Sequence, residues 1–161
     1  MTEVKTQKTV KILGLIFMIM FVLLFVAGFG AFLFYVIMRF VAKATIPPAT
    51  GPIANTFMLS FMIEHIGVLS IAQALTAVLM FIASVQFTKF KPWARVVLEI
   101  YFLLFVLWTI TFGLDFYRLL PEVFPWFALI VMSGCVYPTA FPFLVFFWLL
   151  NKKDLRAAFR R

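Results

Sequence analysis

The feature that most constrains this chain is an uninterrupted apolar stretch over residues 12–38. It holds 27 residues without a charged side chain. As an α-helix, at roughly 1.5 Å per residue, the stretch would be about 40 Å long, whereas the hydrocarbon core of a bilayer is about 30 Å thick. The apolar core of a signal peptide is shorter than this. The sequence therefore predicts a retained, tilted membrane-spanning helix.

Three further apolar stretches follow the first, and we predict helices over residues 57–87, 93–117 and 126–150. Hydrophobic residues make up 65% of the chain and charged residues only 12%, which is far more apolar than a soluble domain. The prolines within residues 39–56 cannot continue a helix, so this segment is predicted to be a loop. We predict an all-α integral membrane protein with a single domain, residues 1–161: a four-transmembrane-helix bundle followed by a basic tail, residues 151–161.

The basic residues predict the orientation of this bundle. If both termini are cytoplasmic, the inner segments hold eleven Lys and Arg residues and the outer segments three. This asymmetry is typical of a protein with both termini inside, here in a plasma membrane of the bacterial inner-membrane type. Because the +8 charge flanks the apolar spans, it favours anionic lipid headgroups over nucleic acid as the partner. The predicted inner membrane-surface residues are Lys89, Lys91, Trp93, Arg95, Lys152, Lys153 and Arg156, and the tail is expected to lie along that surface.

Small and polar residues indicate which helix faces meet. Small side chains let backbones approach closely in lipid, and the outer half of the first span has four of them: Ala27, Gly28, Gly30 and Ala31. On a helical wheel of the second span, we expect one stripe to face the bundle: His65, Ala72, Thr76 and Ala83, with Gln73 and Ser84 at its edge. In the third span the corresponding face is predicted to hold an Arg95–Glu99 pair followed by Phe102, Val106, Thr109 and Gly113.

Two groups of residues are candidate sites. Charged side chains near the predicted outer boundary form a possible polar cluster of Glu64, His65, Asp115 and Arg118. His65 is also a weak candidate metal ligand or proton carrier, although a boundary histidine is more commonly satisfied by a nearby carboxylate. The second group is an intramembrane kink, because prolines in the fourth span free backbone carbonyls that must then face protein: Gly134, Tyr137, Pro138 and Pro142.

No catalytic motif is recognisable in the sequence. It lacks HExxH, GxSxG and a Gly-rich phosphate loop, and Cys135 is its single cysteine. We therefore predict a non-catalytic accessory or scaffolding subunit that packs with larger membrane partners or with itself, with bound lipid and no cofactor. One alternative is a small oligomeric, proton-coupled transporter that uses Glu64 and His65. Another is a cofactor-binding redox membrane protein.

Two short motifs carry a resemblance. Residues 91–95 read KPWAR after the second span, and residues 153–159 read KDLRAAF after the fourth. In these motifs and in hydropathy, the chain resembles small uncharacterised four-helix bacterial inner-membrane proteins. The resemblance implies location and architecture, and it transfers no catalytic residue.

Overall fold

The computed structural model describes residues 3–41, 57–123 and 137–159. Within these ranges every element is helical: α1 (Glu3–Val36), which continues as a π-helical segment (Ile37–Val41), α2 (Phe57–Glu64), α3 (Ile66–Thr88), α4 (Pro92–Val123), α5 (Tyr137–Asn151) and α6 (Lys153–Ala158). The prediction of an all-α protein is confirmed for this part of the chain.

Three of the described helices are long and apolar enough to cross a membrane. These segments are Lys5–Phe40, Ile66–Thr88 and Pro92–Asp115, whereas the apolar segment Phe141–Asn151 is shorter. Part of the predicted fourth span, residues 126–150, lies outside the described residues. In each of the three long segments only 28% of the most apolar stretch is buried, so most of its side chains face outward. Outward-facing leucines and valines are the arrangement that a lipid solvent requires.

A tight turn joins α3 to α4 and makes them antiparallel neighbours. The backbone N–H of Lys91 donates to the carbonyl of Gln86 at 3.1 Å, and that of Phe90 donates to Phe87 at 3.0 Å. Together with the φ of +58° at Phe90, these two bonds form a Schellman motif that closes the last turn of α3. Pro92 then occupies the first position of α4, where its missing N–H leaves no helical bond unmade. We call this end of the molecule the hairpin end.

Helices α1 and α3 pack antiparallel, with their backbones close together. A Cβ atom added to Gly28 would lie 3.0 Å from the backbone nitrogen of Ala74 and 3.1 Å from the carbonyl oxygen of Ser70. Towards the other end of α3, a Cβ on Gly67 would lie 2.5 Å from a ring carbon of Tyr35. At Gly28 a larger residue would push the helices apart because its neighbours are backbone atoms, whereas at Gly67 it would displace the ring of Tyr35.

The predicted small-residue faces are only partly correct. In the first span, Gly28 makes the close approach, but Ala27 and Ala31 are exposed and Gly30 has no neighbour within 4 Å of an added Cβ. In the second span, the predicted stripe is buried only in part, because His65 and Ala72 are exposed whereas Ala83 and Ser84 are buried. The buried face of α3 is Gly67, Ser70, Ala74, Ala77, Ala83, Ser84 and Phe87.

This buried face of α3 differs because small residues recur along it at spacings of three and four, the pattern of a coiled-coil seam. The hydroxyls on this face are satisfied inside their own helix, since Ser70 donates to the Ile66 carbonyl at 2.6 Å and Ser84 to the Met80 carbonyl at 2.8 Å. They therefore cost little to bury.

The predicted inward face of α4 is confirmed. Phe102, Val106, Thr109 and Gly113 are all buried. Thr109 donates to the Phe105 carbonyl at 2.8 Å, which satisfies its hydroxyl within the helix. The face thus presents an apolar surface to its neighbours.

Aromatic rings fill the space between four helices near the hairpin end. Phe17 of α1 is fully buried, and its ring centroid lies 5.8 Å from that of Phe87, 5.0 Å from Phe102 and 5.1 Å from Phe146. These partners belong to α3, α4 and α5. Tilted and edge-on pairs at these distances are the favoured geometries of phenyl rings. One phenylalanine of α1 therefore contacts α3, α4 and α5.

Candidate functional site

An ion-pair junction at the hairpin end is the most developed polar arrangement among the described residues. Arg95 and Glu99 lie one turn apart on α4, and Nη1 of Arg95 is 3.0 Å from Oε2 of Glu99, which confirms their predicted pairing. The second carboxylate oxygen, Oε1, lies 3.4 Å from Nη2 of Arg156 on α6. Arg95 and Glu99 are 16% and 18% exposed, whereas Arg156 is 47% exposed. One carboxylate thus joins α4 to a residue 57 positions later in the chain.

The same side chains cap the carboxyl end of α5. Arg95 donates to the carbonyl of Leu150 at 3.3 Å. Asn151 donates to the carbonyl of Phe147 at 2.9 Å, and its own amide oxygen accepts a hydrogen bond from Arg156. The last carbonyls of a helix have no helical donor and carry partial negative charge, so a guanidinium is favourable there. The junction therefore fixes α4, α5 and α6 relative to one another.

The apolar face of the tail packs against the hairpin end. Leu155 and Phe159 are each only 4% exposed, although they lie beside the chain terminus. The ring of Phe159 lies 4.9 Å from that of Phe87 and 5.8 Å from that of Phe90. These two side chains pack into the protein, and the position of the tail along the membrane surface stays a prediction. We call α6 together with Phe159 the docked tail.

Most predicted membrane-surface residues are exposed at this end: Lys89, Lys91, Trp93, Lys152 and Lys153. Nζ of Lys152 lies 4.2 Å from the ring centroid of Trp148, a cation–π contact. Trp148 is itself 57% exposed, as is typical of an indole at a membrane–water interface. Arg95 and Arg156 differ from the others because their guanidinium groups pair with Glu99.

The predicted outer polar cluster does not share one environment. Glu64 and His65 are exposed, whereas Asp115 is 5% exposed. Nδ1 of His65 lies 3.1 Å from the carbonyl oxygen of Phe61, and the imidazole stacks on the Phe61 ring at 4.6 Å. His65 is therefore satisfied by its own helical turn. The side chain of Arg118 lies outside the described part of the structure.

The described residues provide no supporting arrangement of side chains for the predicted metal ligand or for the predicted kink site. No group of three or more His, Cys, Asp or Glu side chains is placed to hold a metal ion within residues 3–41, 57–123 and 137–159. Gly134 lies outside the described residues, and so do the side chains of Tyr137 and Pro138. Pro142 is inside α5 and exposed. The kink site stays a prediction.

An open apolar groove runs between α1 and α3 in the middle of both helices. It has a volume of about 190 Å³. Its floor is buried and its rims are exposed, so it opens to the outside of the bundle. The lining side chains are all apolar: Phe21, Val22, Phe25, Ala77, Val78 and Phe81.

Reasoning from the sequence missed the link between Glu99 and Arg156 and the burial of the tail. One signal was available, because Leu155 and Phe159 are four residues apart and lie on one face of a helix. The segments 91–95 and 153–159, which carry the resemblance, are brought together at this junction. A scan against protein-family models gave no match, and searches of curated proteins and of solved structures gave no significant match either.

Proposed function

We propose that this chain is a non-catalytic integral membrane accessory or scaffolding subunit with four membrane-spanning helices and both termini in the cytoplasm. The observation that carries the proposal is the large apolar surface that three long helices leave unburied. Leu23, Val68 and Leu75, for example, are 65%, 68% and 61% exposed. Such a surface is stable only against lipid or other membrane helices.

The interior supports a structural role. The buried residues around Phe17 are almost entirely aromatic and aliphatic, and the ion pairs of Glu99 lie at the hairpin end. The polar contacts of this junction hold helices together. A scaffold needs this rigidity at one end and an apolar surface along its sides.

Two classes of partner fit the outer surface. Membrane lipids fit the groove between α1 and α3, whose apolar lining suits an acyl chain, and anionic headgroups fit the exposed lysines of the hairpin end. Other membrane subunits, or further copies of this chain, fit the exposed sides of α1, α3 and α4. No nucleic acid partner is proposed.

The two alternatives gain no supporting geometry. A proton-coupled transporter that uses Glu64 and His65 would place them along a path through the protein, whereas both are exposed and His65 contacts its own helix. The redox alternative requires ligands for a cofactor, and His65 is the chain's single histidine. We therefore favour the subunit.

The subunit proposal is tested by photo-crosslinking in native membranes. A photoreactive amino acid is placed at Leu75, which is exposed, and separately at Ala83, which is 1% exposed. We expect the Leu75 variant to give one discrete crosslinked protein band and the Ala83 control to give none. Mass spectrometry of the band identifies the partner. If the Leu75 variant crosslinks only to lipid, and the protein purifies alone as a monomer in mild detergent, the proposal fails.

The topology is tested separately by cysteine labelling in intact cells. In a variant without Cys135, single cysteines replace Lys8, Lys91 or Ala157, which are all exposed, and Thr50 of the predicted outer loop. A membrane-impermeant maleimide should label only the cysteine at position 50. Labelling at position 8, 91 or 157 in intact cells would contradict cytoplasmic termini.

A further inference from the structure

The contacts of the docked tail point to a releasable structure. Arg156 meets Glu99 at 3.4 Å and is 47% exposed, whereas the pair within α4 is shorter and more buried. Removing Arg156 from Glu99 therefore leaves the carboxylate paired with Arg95. A carboxylate that keeps a partner pays a small penalty when the second cation leaves. The ion pair between Arg156 and Glu99 is thus weaker than the pair between Arg95 and Glu99.

A second cation lies beside Arg156 on the same face. The backbone N–H of Arg156 donates to the carbonyl of Lys152 at 2.9 Å, which places the two side chains one helical turn apart. The Lys152 ammonium lies over the exposed ring of Trp148, and an exposed indole at the end of an apolar helix is typical of the membrane–water interface. A lysine and an arginine one turn apart, next to an exposed tryptophan, can both contact the oxygens of one phosphodiester group.

We propose that Lys152 and Arg156 bind the phosphate of an anionic lipid headgroup, and that this binding exchanges the partner of Arg156 from Glu99 to phosphate and releases the docked tail. The released tail has a destination, because Leu155 and Phe159 form one apolar face that inserts among acyl chains as readily as it packs in the protein. The docked and released forms bury the same side chains in different apolar surroundings. The anionic lipid content of the membrane then determines how much of each form is populated.

The inference uses the membrane placement of the proposed function and does not depend on the accessory role. A chain without partner subunits would still show the release. A chain with partners would fail the test below if its tail stayed docked. The two proposals therefore fail separately.

The experiment measures the distance between α1 and the tail in nanodiscs. Spin labels are attached at Lys8 and Ala157, both exposed, in a variant that lacks Cys135. In phosphatidylcholine we expect one short distance, since α1 and α6 are neighbours. In equal parts of phosphatidylcholine and phosphatidylglycerol we expect a second, longer distance. An unchanged distance distribution would overturn the proposal, and Phe159→Ala serves as a reference in which the tail is released in both lipids.

Two matched variants separate a site from general attraction to a charged surface. Lys152→Gln removes one cation of the site and leaves the Glu99–Arg156 bridge, whereas Lys153→Gln removes an exposed charge next to it. General attraction to an anionic surface contributes roughly a fivefold effect per basic residue, so the ratio of released to docked tail should fall at most about fivefold in Lys153→Gln and clearly further in Lys152→Gln, which also loses the phosphate contact. Equal losses in the two variants would overturn the site.

A final arm distinguishes the source of the phosphate. Inorganic phosphate is added to the protein in phosphatidylcholine nanodiscs. The proposal assigns the site to a lipid headgroup, so free phosphate should leave the tail docked. Release by free phosphate to the same extent as by phosphatidylglycerol would overturn that assignment.

Discussion

The hairpin end and the α1–α3 seam pack their helices in opposite ways. At the hairpin end, phenyl rings fill the space between the helices, and centroids of neighbouring rings lie 4.9–5.8 Å apart around Phe17 and Phe87. Along the seam, small residues let the backbones approach closely, and a Cβ on Gly28 would lie 3.0 Å from a backbone nitrogen. One region uses large side chains and the other uses almost none.

The difference shows what holds helices together when the solvent is apolar. Lipid removes most of the hydrophobic drive for association, so stability comes from dispersion contacts and from satisfied polar groups. Aromatic rings make many dispersion contacts between helices that lie far apart, whereas small residues allow such contacts by letting the helix backbones approach closely. The two solutions predict opposite sensitivities: the ring region should suffer from truncation and the seam from enlargement.

The largest expected effect is truncation in the ring region. Phe102 is fully buried and contacts the rings of Phe17 and Phe146, so Phe102→Ala should lower the free energy of unfolding by about 3 kcal/mol through the cavity it leaves. Phe34 is 64% exposed, and Phe34→Ala is the matched control with an expected change near zero. Unfolding in detergent or by steric trapping measures both. Equal losses would contradict the assignment of Phe102 to the core.

The second effect tests the seam by enlargement. Gly28→Leu should lower the free energy of unfolding by about 2 kcal/mol, because the backbone atoms of Ala74 and Ser70 cannot move aside as side chains do. Gly30→Leu adds the same atoms to the same helix where nothing lies within 4 Å, so it should be neutral. A neutral Gly28→Leu would show that α1 and α3 are not in close contact.

Hydropathy alone was enough to predict the three long apolar helices of the described residues, because a long uncharged run has no other stable form in lipid. It was not enough to orient them. In a soluble bundle apolar residues mark the inner face, but here α3 is apolar on all sides and carries small residues on two faces. The sequence favoured the stripe of His65, Ala72 and Ala83, of which only Ala83 is buried, whereas the face that contacts α1 also holds Ala74 and Ala77.

The junction was predictable in its local half only. Arg95 and Glu99 are four residues apart, and helical geometry brings them together whatever the rest of the chain does. Arg156 is far away in sequence, and no spacing rule relates it to Glu99. The tail posed the same difficulty, since Leu155 and Phe159 fit either lipid or protein. In the structure the tail packs against the protein because the rings of Phe87 and Phe90 at the hairpin contact Phe159.

The third effect separates the two arginines of the junction. Arg95→Gln should lower the free energy of unfolding by about 1 kcal/mol, because Arg95 is only 16% exposed and also binds the Leu150 carbonyl. Arg156→Gln should cost about half as much, since this side chain is 47% exposed and solvent screens its pair. Added salt should reduce the Arg156 effect more than the Arg95 effect. The reverse ranking would contradict the geometry.

The smallest expected effect concerns Phe90, which belongs both to the turn between α3 and α4 and to the aromatic packing. Phe90 has a φ of +58°, a conformation that costs an L-residue about 1 kcal/mol relative to glycine, and its ring contacts Phe159 at 5.8 Å. Phe90→Gly relieves the strain but loses the ring and adds freedom to the unfolded chain, so in the parent protein it should be slightly destabilising, by about 0.5 kcal/mol.

In a Phe159→Ala background the contact with Phe159 is already gone, so the loss of the Phe90 ring costs less. Phe90→Gly should therefore be stabilising there, by about 0.5 kcal/mol. A double-mutant cycle on the free energy of unfolding measures this change of sign. If Phe90→Gly has the same effect in both backgrounds, the tail does not hold Phe90 in its left-handed conformation. The hairpin then forms independently of the contact between the Phe90 and Phe159 rings.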